Sequence, residues 1–301
     1  TSASFALTFG AATASAITTQ PSGAVNGVAF TQQPVIRIVD ASGNTVTNST
    51  VNVVATIASG TGTLSGTTTV AAVAGVATFT NLVITGTAGN FTLTFTPTSL
   101  TAVTSASFAL TFGTATASAI TTQPSGAVNG VAFTQQPVIR IIDSGGNTVT
   151  NSTVNMVATI ASGTGTLSGT TTVAAVAGVA TFTNLVITGT AGNFTLTFTP
   201  TSLTAITSAS FALTFGTATA SAITTQPSGA VNGVAFTQQP VIRIVDSGGN
   251  TVTDSTVNVV ASIASGTGTL SGTTTVAAVA GVATFTNLVI TGTAGNFTLT
   301  F

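Results

Sequence analysis

The sequence predicts an all-β protein made of successive two-sheet β-sandwiches, and three observations carry that prediction. The string TSASFALTFG begins at Thr1, Thr104 and Thr207, so the 301-residue chain repeats itself with a period of 103 residues. Within one period, large apolar residues alternate with Thr in runs of strand length. Those runs are separated by Gly, Pro, Asn and Ser at short intervals, the punctuation of an all-β fold.

The repetition is close to perfect. Between the first two copies we count six differences: Ala11/Thr114, Val39/Ile142, Ala41/Ser144, Ser42/Gly145, Val53/Met156 and Val103/Ile206. The turns at Gly10 and Gly113 suggest a module frame shifted from the repeat itself. On that frame Thr1–Gly10 is the last strand of a preceding or neighbouring module, and residues 11–113, 114–216 and 217–301 are three modules, the third lacking its last strand. Either the segment belongs to a longer array, or the first strand of one subunit completes the last module of another by strand addition, which uses main-chain hydrogen bonds alone.

The alternation is clearest at Phe91-Thr92-Leu93-Thr94-Phe95, and Phe5, Leu7 and Phe9 repeat it. Val51, Val53, Ala55 and Ile57 share one face of a strand, with Asn52, Val54 and Thr56 on the other. No segment sustains a helical period. About seven short strands per copy are expected, with Phe5, Phe9, Phe30, Phe79, Phe91 and Phe95 as core rings. Turns fall at Pro21-Ser22-Gly23, Asn26-Gly27, Ser42-Gly43-Asn44, Ser59-Gly60, Gly75 and Gly89-Asn90.

Composition excludes several functions. Three Arg and four Asp are the ionised side chains, and Lys, Glu, His, Cys, Tyr and Trp do not occur. An apolar content of 44% is ample for a core, which argues against disorder despite the low charge. Without a basic patch, nucleic-acid binding is not expected. The apolar run from Val70 to Phe79 is too short to cross a bilayer as a helix, and a membrane barrel would want the aromatic girdles that Tyr and Trp supply. Ser and Thr hydroxyls have no His, Lys, Cys or Glu to activate them, and the Asp residues that a paired-carboxylate mechanism would need fall one per copy, apart from Asp246 and Asp254 in the third, so an enzyme is not expected. Nor is a cofactor: calcium wants six or more oxygens with several carboxylates, whereas Asp40, Ser42 and Asn44 bring one.

At PVIRIVDASGNTVT (Pro34 to Thr47) and GTLSGTTTVAAVAGVATFTNLVITGTAGNFTLTF (Gly62 to Phe95) the sequence resembles the bacterial immunoglobulin-like tandem repeats of large secreted surface proteins, invasin-like and related. The resemblance covers most of every copy. It implies an immunoglobulin-like sandwich, an extracellular or cell-surface location, and service as a stalk that carries an adhesive tip. Its motifs specify an architecture and not an activity.

The ionised residues are the candidates for contacts between modules or subunits. Arg37, Arg140 and Arg243 each precede Asp40, Asp143 and Asp246 by three residues. That odd offset puts Arg and Asp on opposite faces of a regular strand, so Asp is expected to cap the turn that follows while Arg lies on a sheet face or at a contact. Asn48, Asn90, Asn151, Asn193 and Asn296 fit the N-glycosylation pattern.

A net charge of −1 and sheet edges without Lys gatekeepers favour self-association, so copies of the same chain are the expected partner. The function expected from the sequence is a structural repeat region of an extracellular fibre, filament or sheath. The alternative is an adhesin stalk, or a multivalent module whose Thr-rich face binds a host or environmental surface such as glycan or ice.

Overall fold

A computed structural model describes residues 1–301. The first sandwich is built from eleven strands: β1 (Ala12–Thr19), β2 (Ala24–Val25), β3 (Val35–Asp40), β4 (Asn52–Ser59), β5 (Gly62–Ser65), β6 (Thr69–Ala71), β7 (Val76–Thr78), β8 (Val83–Gly86), β9 (Gly89–Pro97), β10 (Val103–Thr104) and β11 (Phe108–Thr111). The expected seven become eleven because several pairing segments are only two or three residues long. One sheet has the order β1-β3-β7, the other β2-β11-β9-β4-β6 with β10 beside β9, and β5 pairs with β8. Each module is an immunoglobulin-like β-sandwich.

The alternation in sequence becomes the core. On β9, Phe91, Leu93 and Phe95 are buried while the threonines between them face outward, and on β4 Val53 and Ala55 point inward. Each Thr face also suits a strand, since β-branched residues favour the pleated backbone. The apolar run from Val70 to Phe79 is broken at Ala74-Gly75, with φ of 50° and 76°. Both residues are left-handed, the signature of a two-residue hairpin turn, closed by Val73 N to Val76 O at 2.8 Å and Val76 N to Val73 O at 3.0 Å. The turn sends β6 to β4 and β7 to β3, so one run serves both sheets.

The first two modules each enclose a core of 17 buried residues, and the third a core of 11. Phe198 and Leu196 in the second core have no solvent exposure, whereas their counterparts Phe301 and Leu299 are only partly buried. The three-stranded sheet is intact in the third module, at Ala220–Thr225, Val241–Val245 and Val282–Thr284. Its second sheet is reduced to two strand pairs, Asn258–Val260 with Thr275–Ala277 and Ser262–Ser265 with Thr298–Thr300.

One core residue and one boundary need correcting. Within this chain Thr1–Gly10 pairs with no strand, and Phe5 and Leu7 are 85% and 93% exposed, so Phe5 is not a core ring here. A strand needs a partner edge for its N–H and C=O groups, and no edge of this chain receives this segment. Its repeat at Phe108–Thr111 is a strand whose Phe108 and Leu110 close the first core. The seam between modules also falls earlier than Gly113: Phe112 packs against the second core, as Phe9 does against the first and Phe215 against the third. The chain crosses from one sandwich to the next between Leu110 and Phe112.

Candidate functional site

The polar groups of this molecule converge where one module meets the next. The site starts with an Asp at the end of the central strand of the three-stranded sheet. Asp143 Oδ1 accepts the backbone amides of Gly145 and Asn147, both at 2.9 Å, so the carboxylate folds the turn over itself. Gly146, at φ 78°, lets the chain turn back. Asp143 Oδ2 accepts Gly113 N at 2.7 Å, which ties the linker leaving the first module to the turn of the second. Asp246 and Gly216 repeat the arrangement at 2.7 Å, and Asp40 and Gly10 at 2.8 Å.

From that turn Asn147 reaches across the junction. Its Nδ2 donates to Gly86 O at 2.8 Å and its Oδ1 accepts Ala88 N at 2.6 Å, so one side-chain amide satisfies both main-chain groups of the β8–β9 turn in the first module. Asn26 completes the contact: its Oδ1 accepts Gly86 N at 2.8 Å and its Nδ2 donates to Ser144 Oγ at 3.3 Å. The second junction has the same bonds, with Asn250 on Gly189 and Ala191, and Asn129 on Gly189 and Ser247. Asn26 and Asn129 are each only 3% exposed, so these bonds are shielded from water. Gly145 and Gly248 are required by proximity, because a Cβ at either would collide with the carbonyl oxygen of Gly86 or Gly189.

The electrostatics follow from the same donors. For Asp143 and Asp246 burial works to raise the pKa, but the linker amide and the turn amides outweigh it, and both carboxyls titrate below the ordinary value of 3.8. Asp40 is brought down to about 2, first by the Gly10 amide and then by the side chain and backbone of Asn44. The turn carboxylates are therefore ionised acceptors whose oxygens already hold N–H donors.

Of the residues singled out from sequence, Asp143 and Asp246 sit at junctions, and Asp40 holds the corresponding turn of the first module. The arginines lie elsewhere. Arg37 is on β3 between Ala16 and Val76, and its guanidinium donates to Thr45 Oγ1 at 3.3 Å within its own module; Arg140 and Arg243 bond Thr148 and Thr251 at 3.2 Å. The side chains of Asn48, Asn90, Asn151, Asn193 and Asn296 are exposed. Sequence reasoning missed Asn26, Asn129, Asn147 and Asn250, which read as ordinary turn residues. A signal was present in the repeat differences: Ala41/Ser144 and Ser42/Gly145 are adjacent, and Ser144 and Gly145 are the residues placed against the preceding module.

No protein-family model matches the sequence, and no curated protein matches it. Solved structures similar to the chain include the Escherichia coli adhesin FdeC, at 17% identity and a TM-score of 0.40 over 97% of this chain and 94% of that one. The D0-D1 domains of intimin match at 16% identity and a TM-score of 0.27, and its D00-D0 domains at 12% and 0.34, each over 66% of this chain and 98% of the other. The sandwich assignment rests on the strand pairing above. No helix in the structure is long and apolar enough to cross a membrane.

Proposed function

We propose that this chain is a structural spacer: a stiff tandem segment of an extracellular, cell-surface stalk or fibre of the adhesin kind. The observation that carries the reading is the junction clamp, which recurs with the same bonds at both junctions. A flexible linker would leave the modules free to reorient. Here the linker glycine, the Asp turn and the β8–β9 turn of the preceding module are fastened to one another, and the crossing from Leu110 to Phe112 leaves no slack. Cross-module bonds from shielded amides fix direction as well as distance, because breaking them would bury unpaired main-chain groups.

The chemistry of the surface agrees with that role. The side chains present suit packing and hydrogen bonding, and the Asp turns, the most perturbed ionisable groups, spend their charge on backbone amides. The adhesin FdeC aligns over nearly the whole of this chain and the intimin domains over two thirds of it, and the surface role proposed here is one that those proteins suggest.

Small-angle X-ray scattering of the whole chain tests it. The expected result is a single extended particle whose maximum dimension stays constant across salt concentrations, with Asn147→Ala and Asn250→Ala together broadening the distance distribution. A wild-type profile that fits three independently tumbling modules would overturn the reading.

A further inference from the structure

We propose that Asn26 and Asn129 are deamidation sites gated by the junctions: inert while two modules are clamped together, converted to aspartate or isoaspartate when a joint opens, and weakened as clamps afterwards. This rests on the junction clamp of the spacer reading and not on its cell-surface location.

Asn-Gly is the asparagine pair that deamidates most readily, because glycine has no Cβ to hinder its own backbone nitrogen. The pair occurs once per copy, at Asn26-Gly27, Asn129-Gly130 and Asn232-Gly233. In the reaction the glycine nitrogen attacks the Asn Cγ, its proton passes to water, and the side-chain nitrogen leaves as ammonia. The new C–N bond closes a succinimide ring, which a water molecule opens at one carbonyl or the other to give aspartate or isoaspartate. Water is the only reagent consumed.

At the first junction the structure withholds each part of that reaction. Asn26 lies in the turn Val25–Val28, closed by Val28 N on Val25 O at 3.0 Å with Gly27 at φ 74°. The nucleophile is engaged, since Gly27 N donates to Ile84 O at 2.9 Å. The electrophile is fixed: Asn26 Oδ1 accepts Gly86 N at 2.8 Å, and Nδ2 donates to Ser144 Oγ of the next module at 3.3 Å. Water is kept out, because the residue is only 3% exposed. The second junction repeats the arrangement. Gly130 N donates to Ile187 O at 2.9 Å, Asn129 Oδ1 accepts Gly189 N at 2.8 Å, and its Nδ2 donates to Ser247 Oγ at 3.4 Å.

Part of this protection belongs to the neighbouring module. Ser144 supplies the acceptor for the nitrogen that would leave. Gly145 packs so closely that a Cβ on it would lie 2.9 Å from Asn26 Nδ2. Asn147 holds Gly86 O while Asn26 holds Gly86 N, so the two amides grip one residue from both sides. When the modules part, Asn26 loses a bond, gains water and rests on a looser Gly86. The reaction rate then follows the fraction of time the joint is open.

The product is a poorer clamp. A carboxylate at position 26 has no N–H to donate to Ser144, and it places a charge in a shielded junction that already holds the Asp143 carboxylate. Isoaspartate adds a carbon to the main chain and moves Gly27 N off Ile84 O. Each deamidation thus records an opening and makes the next one easier.

The three arginines make the test direct. Cleavage after Arg37 and Arg140 leaves Asn26 in residues 1–37 and Asn129 in residues 38–140, so mass spectrometry of the denatured, cleaved chain reads each site separately. Before cleavage the whole chain is held in mildly alkaline buffer, and both sites should react far more slowly than in the chain unfolded in guanidinium. Asn147→Ala should raise the rate at Asn26 about tenfold and leave Asn129 unchanged, and Asn250→Ala should do the reverse. Asn129 lies in the same module as Asn147, so unfolding of that module would raise both sites and be recognised. Ser144→Ala, which gives the second module the residue the first carries at Ala41, keeps the test open in that case: it should raise Asn26 alone, by about threefold. An Asn26 rate indifferent to both variants, or one that rises together with Asn129 in both, would overturn the gate. Asn26→Asp should broaden the X-ray distance distribution, and an unchanged distribution would overturn the loss of clamping. A stiff chain whose Asn26 ignores the variants overturns the gate and leaves the spacer standing; a flexible chain whose Asn26 reacts as fast folded as unfolded overturns both.

Discussion

Thr1–Gly10 and Thr104–Gly113 are the same ten residues in the same order, and they end in different states. In the second stretch Phe108 and Leu110 are 9% and 2% exposed and strand-paired on both sides; in the first, Phe5 and Leu7 stand in solvent. The residues supply β-propensity and alternation in both places, so neither can be what decides. What differs is whether two open edges and an apolar floor are within reach. Strand formation at this position is tertiary in origin, as expected of a structure whose main-chain bonds are all made to other segments. The Asp turns give a second instance. Asn147 is buried by the module before it, whereas Asn44, in the matching turn of the first module, is exposed.

The largest effect that would separate the two decapeptides comes from their rings. Phe108→Ala removes a ring from the first core and is expected to cost about 3 kcal/mol in that module. Phe5→Ala should change the stability of the single chain by less than about 0.5 kcal/mol, because it acts on an exposed side chain. Chemical denaturation followed by a first-module probe distinguishes them, and equal effects would mean that Thr1–Gly10 is packed after all.

A smaller difference is expected between the turns. Asn147→Ala strands Gly86 O and Ala88 N in a shielded junction and should cost about 1–3 kcal/mol, against less than about 1 kcal/mol for Asn44→Ala, which loses only its bonds to Asp40. Gly145→Ser should loosen the same junction by collision with Gly86 O, a change visible as broadened X-ray scattering. The reverse change, Ser42→Gly, should leave the single chain untouched.

Much of this was legible in the sequence. The period of 103 residues, the Thr alternation of β9 and the glycine punctuation are local patterns, and they lead to three sandwiches and to the inward residues of β4 and β9. The position of the seam was not legible. Phe108, Leu110 and Phe112 have the same parity, so alternation places them on one face, yet the first two enter one core and the third enters the next. Periodicity reports which side of a strand a residue takes and is silent about which neighbour waits there. The junction amides were hidden for a related reason. Asn is a routine turn residue, and only its position against another module's main chain makes it a clamp. The Ser144-Gly145 pair was the trace of that contact, and its meaning depends on knowing what lies opposite.

The finest test of the comparison uses the carboxylates. Asp40 is lowered from 3.8 to about 2 chiefly by Gly10 N, and Asp143 is lowered, against burial, by Gly113 N and the turn amides. A carboxyl whose pKa is depressed by folding stabilises the fold fully above its ordinary value and loses that contribution as the pH falls through the folded value. The contribution of these turns should therefore be intact at neutral pH and disappear in acid, for Asp40 between about pH 4 and about pH 2. Deleting residues 1–10 removes the largest contribution to the Asp40 shift, so its midpoint should rise towards 3.8 while that of Asp143, held by Gly113, stays where it is. Carboxyl-carbon NMR titration resolves the two, the chain having four carboxylate side chains. A rise at Asp40 alone would show that the linker amide sets each turn's affinity for its charge independently; a matching rise at Asp143 would mean that the turns communicate along the array.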